Sequence, residues 1–337
     1  MSTASDEAAL DDLPLITAEP IETLRGEWAA LHRTVPGATA FAYPAWHEAW
    51  LRHLGASVFP IFLALRREEA LIGVLPLTVK GREARVLGDP NLSDHAGLLV
   101  RAGDEQASMI ALVEWLMEDL VRSFEAWGLP AGSPLHAALF AAADHYGWDA
   151  TEEHEAVTPI LELPAVWEAY LGSLAKKHRH ELRRKIRNLE RAGDVGFESA
   201  TTAEEVRGVV DGLIEMMRES REDKRAFLTP PIEAFFRDLA SELSALGLTR
   251  ISTLTLDGRA VARVLTIEND SRTMLYNSGF DPEFAALSAG LVSKVYVVRE
   301  AIERGHGAVD FLRGDEEYKR HLGGEPKAIV TVRLSAP

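Results

Sequence analysis

The chain has 337 residues, 47% of them hydrophobic, with 36 Lys or Arg against 52 Asp or Glu and a formal net charge of −16. Such acidity argues against general coating of nucleic acid, and no DNA partner is expected. There is no cysteine, which excludes disulfides, thiolate metal sites and a cysteine nucleophile.

The opening "MSTASDEAALDDLPL" (1–15) is acidic and lacks an apolar h-region, so no signal peptide is expected. Residues 21–34 carry Leu24, Trp28 and Leu31 at i, i+4 and i+7, which predicts a helix. "FAYPAWHEAWLRHL" (41–54) predicts a turn into a second helix with Pro44 at its start. Two apolar runs around a charged turn predict a hairpin over 59–79, followed by a strand at 95–100 and a helix at 106–121. "KKHRHELRRKIRNLER" (176–191) has Leu182, Ile186 and Leu189 at i, i+4 and i+7, an amphipathic helix with one apolar stripe. Helices are predicted at 204–220 and within 226–243. A hairpin over 249–270 turns at Asp257-Gly258. A strand at 272–280, a helix at 288–305 ending at Gly305, and strands at 308–312 and 328–334 complete the chain. No stretch reaches the ~18 apolar residues of a membrane span. With no signal peptide and no cysteine, a cytoplasmic location is expected.

Helices and strands alternate in a pattern of the α/β class with mixed (α+β) sheets, and the order runs twice. "AFAYP" (40–44) and "AFLTP" (226–230) match as A-F-x-x-P, 186 residues apart, and each opens a helix followed by a hairpin. Long-period similarity of this kind indicates an internal duplication. The boundary is expected near 150–165, where "ATEEHEAVTPILELPA" is polar and holds two prolines. This gives an N-terminal domain over 1–155 and a C-terminal domain over 156–337.

Signatures of several enzyme classes are absent: no G-x-S-x-G, no G-x-x-x-x-G-K-[ST], no G-x-G-x-x-G and no H-E-x-x-H. His178 and His180 flank Arg179 without a carboxylate cluster, so they read as solvated helix residues, and no metal is implied.

The order helix–helix–hairpin–strand–helix–strand–helix–strand over 204–334 is similar to the GNAT acetyltransferase superfamily. "KKHRHELRRKIRNLERAG", "LTLDGRAVARVLTI", "YNSGFDPEFAALSAG" and "DFLRGDEEYKRHLG", preceded by "FAYPAWHEAW" and "LGDPNLSDHAGLL", resemble the BcsL/CelD-like (BioF2-like) acetyltransferases over roughly 40–325. The resemblance implies two tandem GNAT-like domains, as in the FemABX aminoacyl transferases, the first degenerate and the second carrying transfer of an acyl group to an amine. It implies acetyl-CoA or another acyl-CoA as co-substrate, with aminoacyl-tRNA as the alternative donor. The acceptor is expected to be a small molecule or a cell-envelope precursor bearing phosphate, such as a nucleotide-sugar. A non-catalytic protein holding an anionic ligand is the reading from another class.

In a GNAT fold, free N–H groups at the start of the helix after a splayed strand bind pyrophosphate. Here that assigns Leu287, Ser288, Ala289, Gly290 and Leu291 to the donor. The fuller signature Q/R-x-x-G-x-G/A is absent, since only Gly290 is present and no Gln or Arg precedes it. By the same resemblance Tyr318 protonates the departing thiolate, Glu316 or Glu317 accepts the proton of the attacking ammonium, Asn277 holds the acyl carbonyl, and Asp310, at the end of a strand on the site's face, is a further catalytic candidate. Arg313 and Lys319 complete the site as substrate-binding groups.

The segment 176–191 carries eight Lys or Arg against two Glu, a net +6 in an acidic protein. Repulsion between like charges at i,i+4 destabilises such a helix by a few tenths of a kcal/mol per pair, about as much as an opposite pair stabilises it. Three accounts stay open: acidic neighbours within the protein, a polyanionic substrate, or a membrane surface. By resemblance to FemABX proteins, Arg179 and Arg183 are expected to contact phosphate on the acceptor in the cleft between the halves. Lys176, Lys177, Lys185 and Arg191 are expected to face solvent or acids.

Overall fold

The structure, a computed structural model, describes residues 13–337. The acidic opening read above lies outside the described residues as far as position 12. The chain divides into two compact units, one of residues 1–51, 55–156 and 327–337, the other of 52–54 and 157–326. The sequence assigned everything after 155 to the second domain. Residues 327–337 count with the first unit instead, because the final strand hydrogen-bonds along a strand at 123–130.

The first unit opens with β1 (Leu15–Ala18), α1 (Ile21–His32) and α2 (Pro44–Leu54), then β2 (Pro60–Arg67), β3 (Ala70–Lys80), β4 (Glu83–Val86) and β5 (Leu99–Val100). It continues through α3 (Glu105–Glu118), β6 (Ser123–Pro130), α4 (Pro134–Tyr146) and the start of β7 (Asp149–Glu162). Strands β1, β2, β3, β4 and β6 lie side by side, with β5 on β3. The β4/β6 pair is parallel and encloses α3 as its crossover. Leu63, Leu65, Leu75, Met109, Leu112, Leu116 and Trp127 form the core between sheet and helices. The polar stretch near 150–165 forms one long strand, β7. Pro159 has no N–H to give the ladder there, but its carbonyl still accepts the Phe311 N–H at 2.9 Å.

The second unit holds α5 (Trp167–Ser173), α6 (Lys176–Ala192), β8 (Val195–Ala200), α7 (Ala203–Ser220), α8 (Glu222–Phe227) and α9 (Pro230–Ala245). The hairpin β9 (Thr249–Leu256) and β10 (Arg259–Glu268) follows, then β11 (Arg272–Phe280), α10 (Ala289–Glu303), β12 (Ala308–Asp310) and α11 (Glu317–His321). The last strand, β13 (Glu325–Ser335), pairs with β6. The end of β7 begins a sheet in the order β7-β12-β11-β10-β9-β8. Its hairpin turns at Asp257 and Gly258, both at positive φ (51° and 78°), the geometry that matches strand twist. Thr202 and Glu205 form a reciprocal capping box at the start of α7.

Here too one pair of strands is parallel, β11 with β12, and α10 is the crossover between them. The same element order therefore occurs in both units, and A-F-x-x-P opens α2 and α9 with proline at the first turn in each.

Residues at the end of β11 set the packing on both faces of the sheet. A Cβ on Gly279 would meet the Met217 backbone nitrogen at 2.3 Å, so α7 packs directly on the strand there. The next residue, Phe280, points the other way and touches Gly290 of α10. Neither contact leaves room for a methyl group. Gly279→Ala should therefore destabilise the protein by about 1–3 kcal/mol or more, read by denaturant unfolding. An unchanged midpoint would mean that α7 shifts without cost.

Candidate active site

The parallel pairing of β11 with β12 is short. It covers Arg272/Ala308, Thr273/Val309 and Met274/Asp310, and then stops. β11 runs on to Phe280, still paired with β10, and the chain after β12 turns away. On the β10 side the register shifts beside Tyr276, where a bulge twists the strand further. The two parallel strands thus splay, and α10 begins next to the gap.

A pocket of about 240 Å³ lies at that place, lined by Phe280, Ser288, Ala289, Gly290, Leu291, Lys294 and Tyr318. Ser288 stands at positive φ (58°) and its carbonyl takes the N–H groups of Leu291 and Val292 at 3.0 Å each. Ala289 and Gly290 have no backbone partner for their own N–H groups among the described residues. Two unsatisfied amides at a helix N-terminus attract an anion. Lys185 of α6 reaches the same turn and donates to Ser288 Oγ at 2.9 Å. A second pocket, about 310 Å³, adjoins the first across Leu291 and Tyr318 and is lined by Lys177, His178, Lys185 and His321. His178 is therefore not simply solvated: its ring lies 3.9 Å from that of His321.

Gly290 has a different task from the one the sequence suggested. A Cβ there would meet the Phe280 ring at 2.7 Å. The glycine makes room for a protein side chain, and the amides of the turn are left open as a consequence.

The segment after β12 is a tightly bonded loop. Asp310 is buried and accepts from Thr158 Oγ1 and from the Leu312 N–H at 2.8 Å. Lys319 is buried too, and its ammonium donates to the carbonyls of Leu312 (3.0 Å), Arg313 (2.9 Å) and Gly314 (3.3 Å) and pairs with Glu316 at 2.9 Å. These bonds hold Leu312 and Gly314 at positive φ (55° and 122°). They also fix α11, which carries Tyr318. Burial, then the charge of Glu316, pushes the Tyr318 phenol up, so it stays protonated. Its hydroxyl has no protein hydrogen-bond partner among the described residues.

Two lysines complete the surroundings. Lys294 Nζ donates to Gly290 O at 2.8 Å and lies 5.3 Å from the centre of the Tyr318 ring. Burial, reinforced by repulsion from Lys224, brings its ammonium down to about 7. Lys224 of α8 donates to Ser278 O at 2.6 Å and Asn277 Oδ1 at 3.3 Å, and burial brings it down to about 8. Burial raises the carboxyl of Glu316, but its bond to Lys319 outweighs this and holds it below the ordinary value.

Ser288, Ala289, Gly290, Leu291 and Tyr318 thus line one pocket, with Asn277 and Lys319 behind it. Leu287 packs into the hydrophobic cluster around Leu189 and Leu254. Asp310 and Lys319 shape the loop, and Arg313 lends it a carbonyl. Glu317 is exposed and pairs with His321 at 3.1 Å, whereas the field of Glu316 reaches Lys224, Lys294 and Tyr318. Arg179 and Arg183 go to different partners. Arg179 donates to the carbonyls of Leu171, Gly172 and Leu174 at the end of α5. Arg183 pairs with Glu168 at 3.2 Å and lines a separate pocket of about 180 Å³ with Trp167 and Tyr296. Lys185, expected to face solvent or acids, lies 3.6 Å from Glu181 and is also the cation of α6 at the helix start. Lys294 and Lys224 were missed. A lone lysine in the apolar run "LVSKVYVV", one turn after Gly290, was a readable signal; Lys224 sits in a charged run and gave none.

Residues 176–320 match the family described as the acetyltransferase (GNAT) domain. That span runs from the start of α6 into α11 and includes every residue of the pocket. No protein of curated function matches the sequence. Among solved structures the chain is similar to FemX, with 12% identity and a TM-score of 0.67 over 94% of this chain and 96% of that one. It is also similar to a conserved protein of unknown function from Bacteroides thetaiotaomicron, with 12% identity, a TM-score of 0.63 and coverage of 96% and 100%. A third is the C-terminal domain described as that of a lysylphosphatidylglycerol synthetase from Agrobacterium fabrum, with 10% identity, a TM-score of 0.62 and coverage of 93% and 92%. At these identities what is shared is the fold. Among the described residues no helix is long and apolar enough to cross a membrane, and no cluster of His, Asp or Glu could hold a metal ion.

The depressed value at Lys294 has a stability signature. The unfolded chain keeps this proton up to roughly pH 10.4, whereas the native protein loses it near about 7. Between those limits the unfolded state binds more protons, so stability from this group rises with pH, and its penalty is full below about 7. Lys294→Met removes the penalty. It should stabilise the protein more at about pH 6 than at about pH 9, read by denaturant unfolding of both proteins. An equal gain at both pH values would contradict a lowered Lys294.

Proposed function

We propose that the protein is an N-acyltransferase of the GNAT type that moves an acyl group from an acyl-CoA to an amine, with its site in the second unit. The observation that carries this reading is the coincidence of the GNAT family match with the splayed parallel pair and the open amides at the start of α10. The motif order quoted above supports a BcsL/CelD-like member related to the FemABX proteins. An acceptor from the cell envelope is in keeping with the FemX-like and lysylphosphatidylglycerol synthetase-like fold.

The residues present suit such a donor. Ala289 N–H, Gly290 N–H and Lys185 offer two dipoles and a charge to a pyrophosphate. Phe280 and Leu291 give the pocket an apolar wall for the arm that carries the thioester, which leads it to Tyr318. Lys224 bonds Asn277 Oδ1, which turns the amide so that Nδ2 is left as a donor for the acyl carbonyl. Glu316 offers a carboxylate to the acceptor's ammonium and, being half-exposed, a route for its proton to solvent. The amine nitrogen then bonds to the carbonyl carbon, the carbon–sulfur bond breaks, Tyr318 gives its proton to the departing thiolate, and the new amide nitrogen gives up its surplus proton, which returns to the Tyr318 phenolate through water. A phenol raised by burial stays protonated, and so available as the acid, until the thiolate leaves.

Two variants test the assignment. Tyr318→Phe keeps the ring beneath Lys294 and should slow turnover by roughly 10²–10⁴-fold with donor affinity unchanged. Lys185→Glu should weaken acetyl-CoA binding by about tenfold or more in calorimetry, while Lys176→Glu on the same helix should leave it as it is. Gly290 is a poor probe, because any side chain there also displaces Phe280. Full turnover in the phenylalanine variant would reduce Tyr318 to packing. A wild-type protein that binds no acyl-CoA would shift the donor to aminoacyl-tRNA.

A further inference from the structure

We propose that the site takes a substrate bearing a carboxylate, which seats between Lys224 and Lys294 beside Tyr318. The proposal rests on the acyl-transfer reading above and adds the chemical class of what is transferred or of what receives it.

Lys294 lines the pocket, and Lys224, Lys319 and Arg221 are its cationic neighbours; two of these four are already neutralised. Lys319 pairs with Glu316 at 2.9 Å, and Arg221 pairs with Asp223 at 2.6 Å. Lys224 and Lys294 are left. Their ammoniums touch only neutral acceptors, Ser278 O and Asn277 Oδ1 for the first and Gly290 O for the second. Among the described residues no carboxylate lies within salt-bridge reach of either. Lys224 is nevertheless the strongest charged neighbour of Lys294. Buried charges in proteins are paired, because an isolated one is costly to desolvate. Two half-buried lysines that repel each other, with no acid within salt-bridge reach, are a half-built ion cluster. The missing half must be an anion that comes and goes with the substrate. A carboxylate suits it best, since its two oxygens serve two ammoniums and it is flat enough to share a pocket of about 240 Å³ with the donor. The phosphates of the donor already have the amides of Ala289 and Gly290.

The carboxylate has two possible sources, the acyl group of a dicarboxylic acyl-CoA or an acceptor of the amino-acid type. Either one would hold both lysines charged. The other groups facing them keep their state: the exposed Asp223 is held ionised by Arg221, Glu316 by Lys319 despite its desolvation, Arg221 stays charged, and Tyr318 stays neutral. Lys319 remains paired with Glu316. Lys224 and Lys294 sit at about 8 and about 7 when free. Binding at about pH 8 should therefore draw protons from the buffer, with the sign set by lysines held below their ordinary value.

Calorimetry on the full chain tests this with four probes: acetyl-CoA against succinyl-CoA, and an amino acid against its amide. Each is measured at about pH 8 in two buffers of different ionisation heat, for the wild type, Lys224→Met and Lys294→Met. If the acyl group carries the anion, succinyl-CoA binds more tightly than acetyl-CoA by about tenfold or more. If the acceptor carries it, the amino acid outbinds its amide by a similar factor. In either case the preference and the proton uptake vanish in both variants, which should fold at least as stably as the wild type. Preferences below about twofold in both pairs, or a preference that survives both substitutions, would overturn the proposal. If acetyl-CoA fails to bind at all, the donor assignment falls, and the amino acid and its amide still decide the carboxylate.

Discussion

The second unit is organised around a pairing that ends early. β11 and β12 run parallel for three residue pairs and then part at Met274 and Asp310. Parallel strands require a crossover, and the crossover here is α10, whose first turn is set beside the gap. The open amides, the pocket and the place of Lys294 all follow from that. Asp310 is the pivot: its carboxylate takes the hydroxyl of Thr158 and the N–H of Leu312, so the chain leaves the sheet in one fixed direction.

The first unit repeats the topology with different residues at the corresponding place. Its parallel pair is β4 and β6, with α3 between them. At the start of α3 stands Asp104, buried and bonded to both Arg67 and Arg101, and the Gly103 N–H is taken by Glu105. The Asp104 carboxylate is spent on the two arginines and makes no cap bond to the amides of α3.

Much of the architecture was legible because it rests on local signals. Asp257-Gly258 forces a two-residue turn, Pro44 and Pro230 each begin a helix, and Leu182 and Leu189 bury the face the spacing assigned to them. The strands β4, β6 and β8 were not seen, and β7 was taken for a boundary. Polar residues alternate poorly along β7, and its pairing with β12 comes from far away in sequence. The site divided in the same way. The turn at Ser288–Leu291 and Tyr318 lie on motifs. Lys224 and Lys294 meet only after α8, β11 and α10 have packed, and no spacing within the chain encodes that meeting. Residues chosen for their charge in a motif, Asp310 and Lys319, proved to be bonded to the loop that carries them.

The basic helix is only partly balanced from within. Glu181 answers Arg184 and Lys185 on the helix itself, and Glu168 answers Arg183. Arg179 is held by carbonyls of α5, and Lys185 is directed to Ser288. The other acidic residues of the described chain are not brought to this helix by ion pairs. The excess positive charge is left at the mouth of the groove between α6 and α10, where it raises the local concentration of any anion approaching the turn.

The cage around Lys319 has a consequence for how this region opens. One ammonium binds three successive carbonyls and an acid three residues away, so none of these bonds can be lost alone without leaving a buried charge behind. Residues 310–322 should then behave as a single cooperative unit in hydrogen exchange, their amides sharing one opening free energy, while the exposed first turns of α6 fray independently.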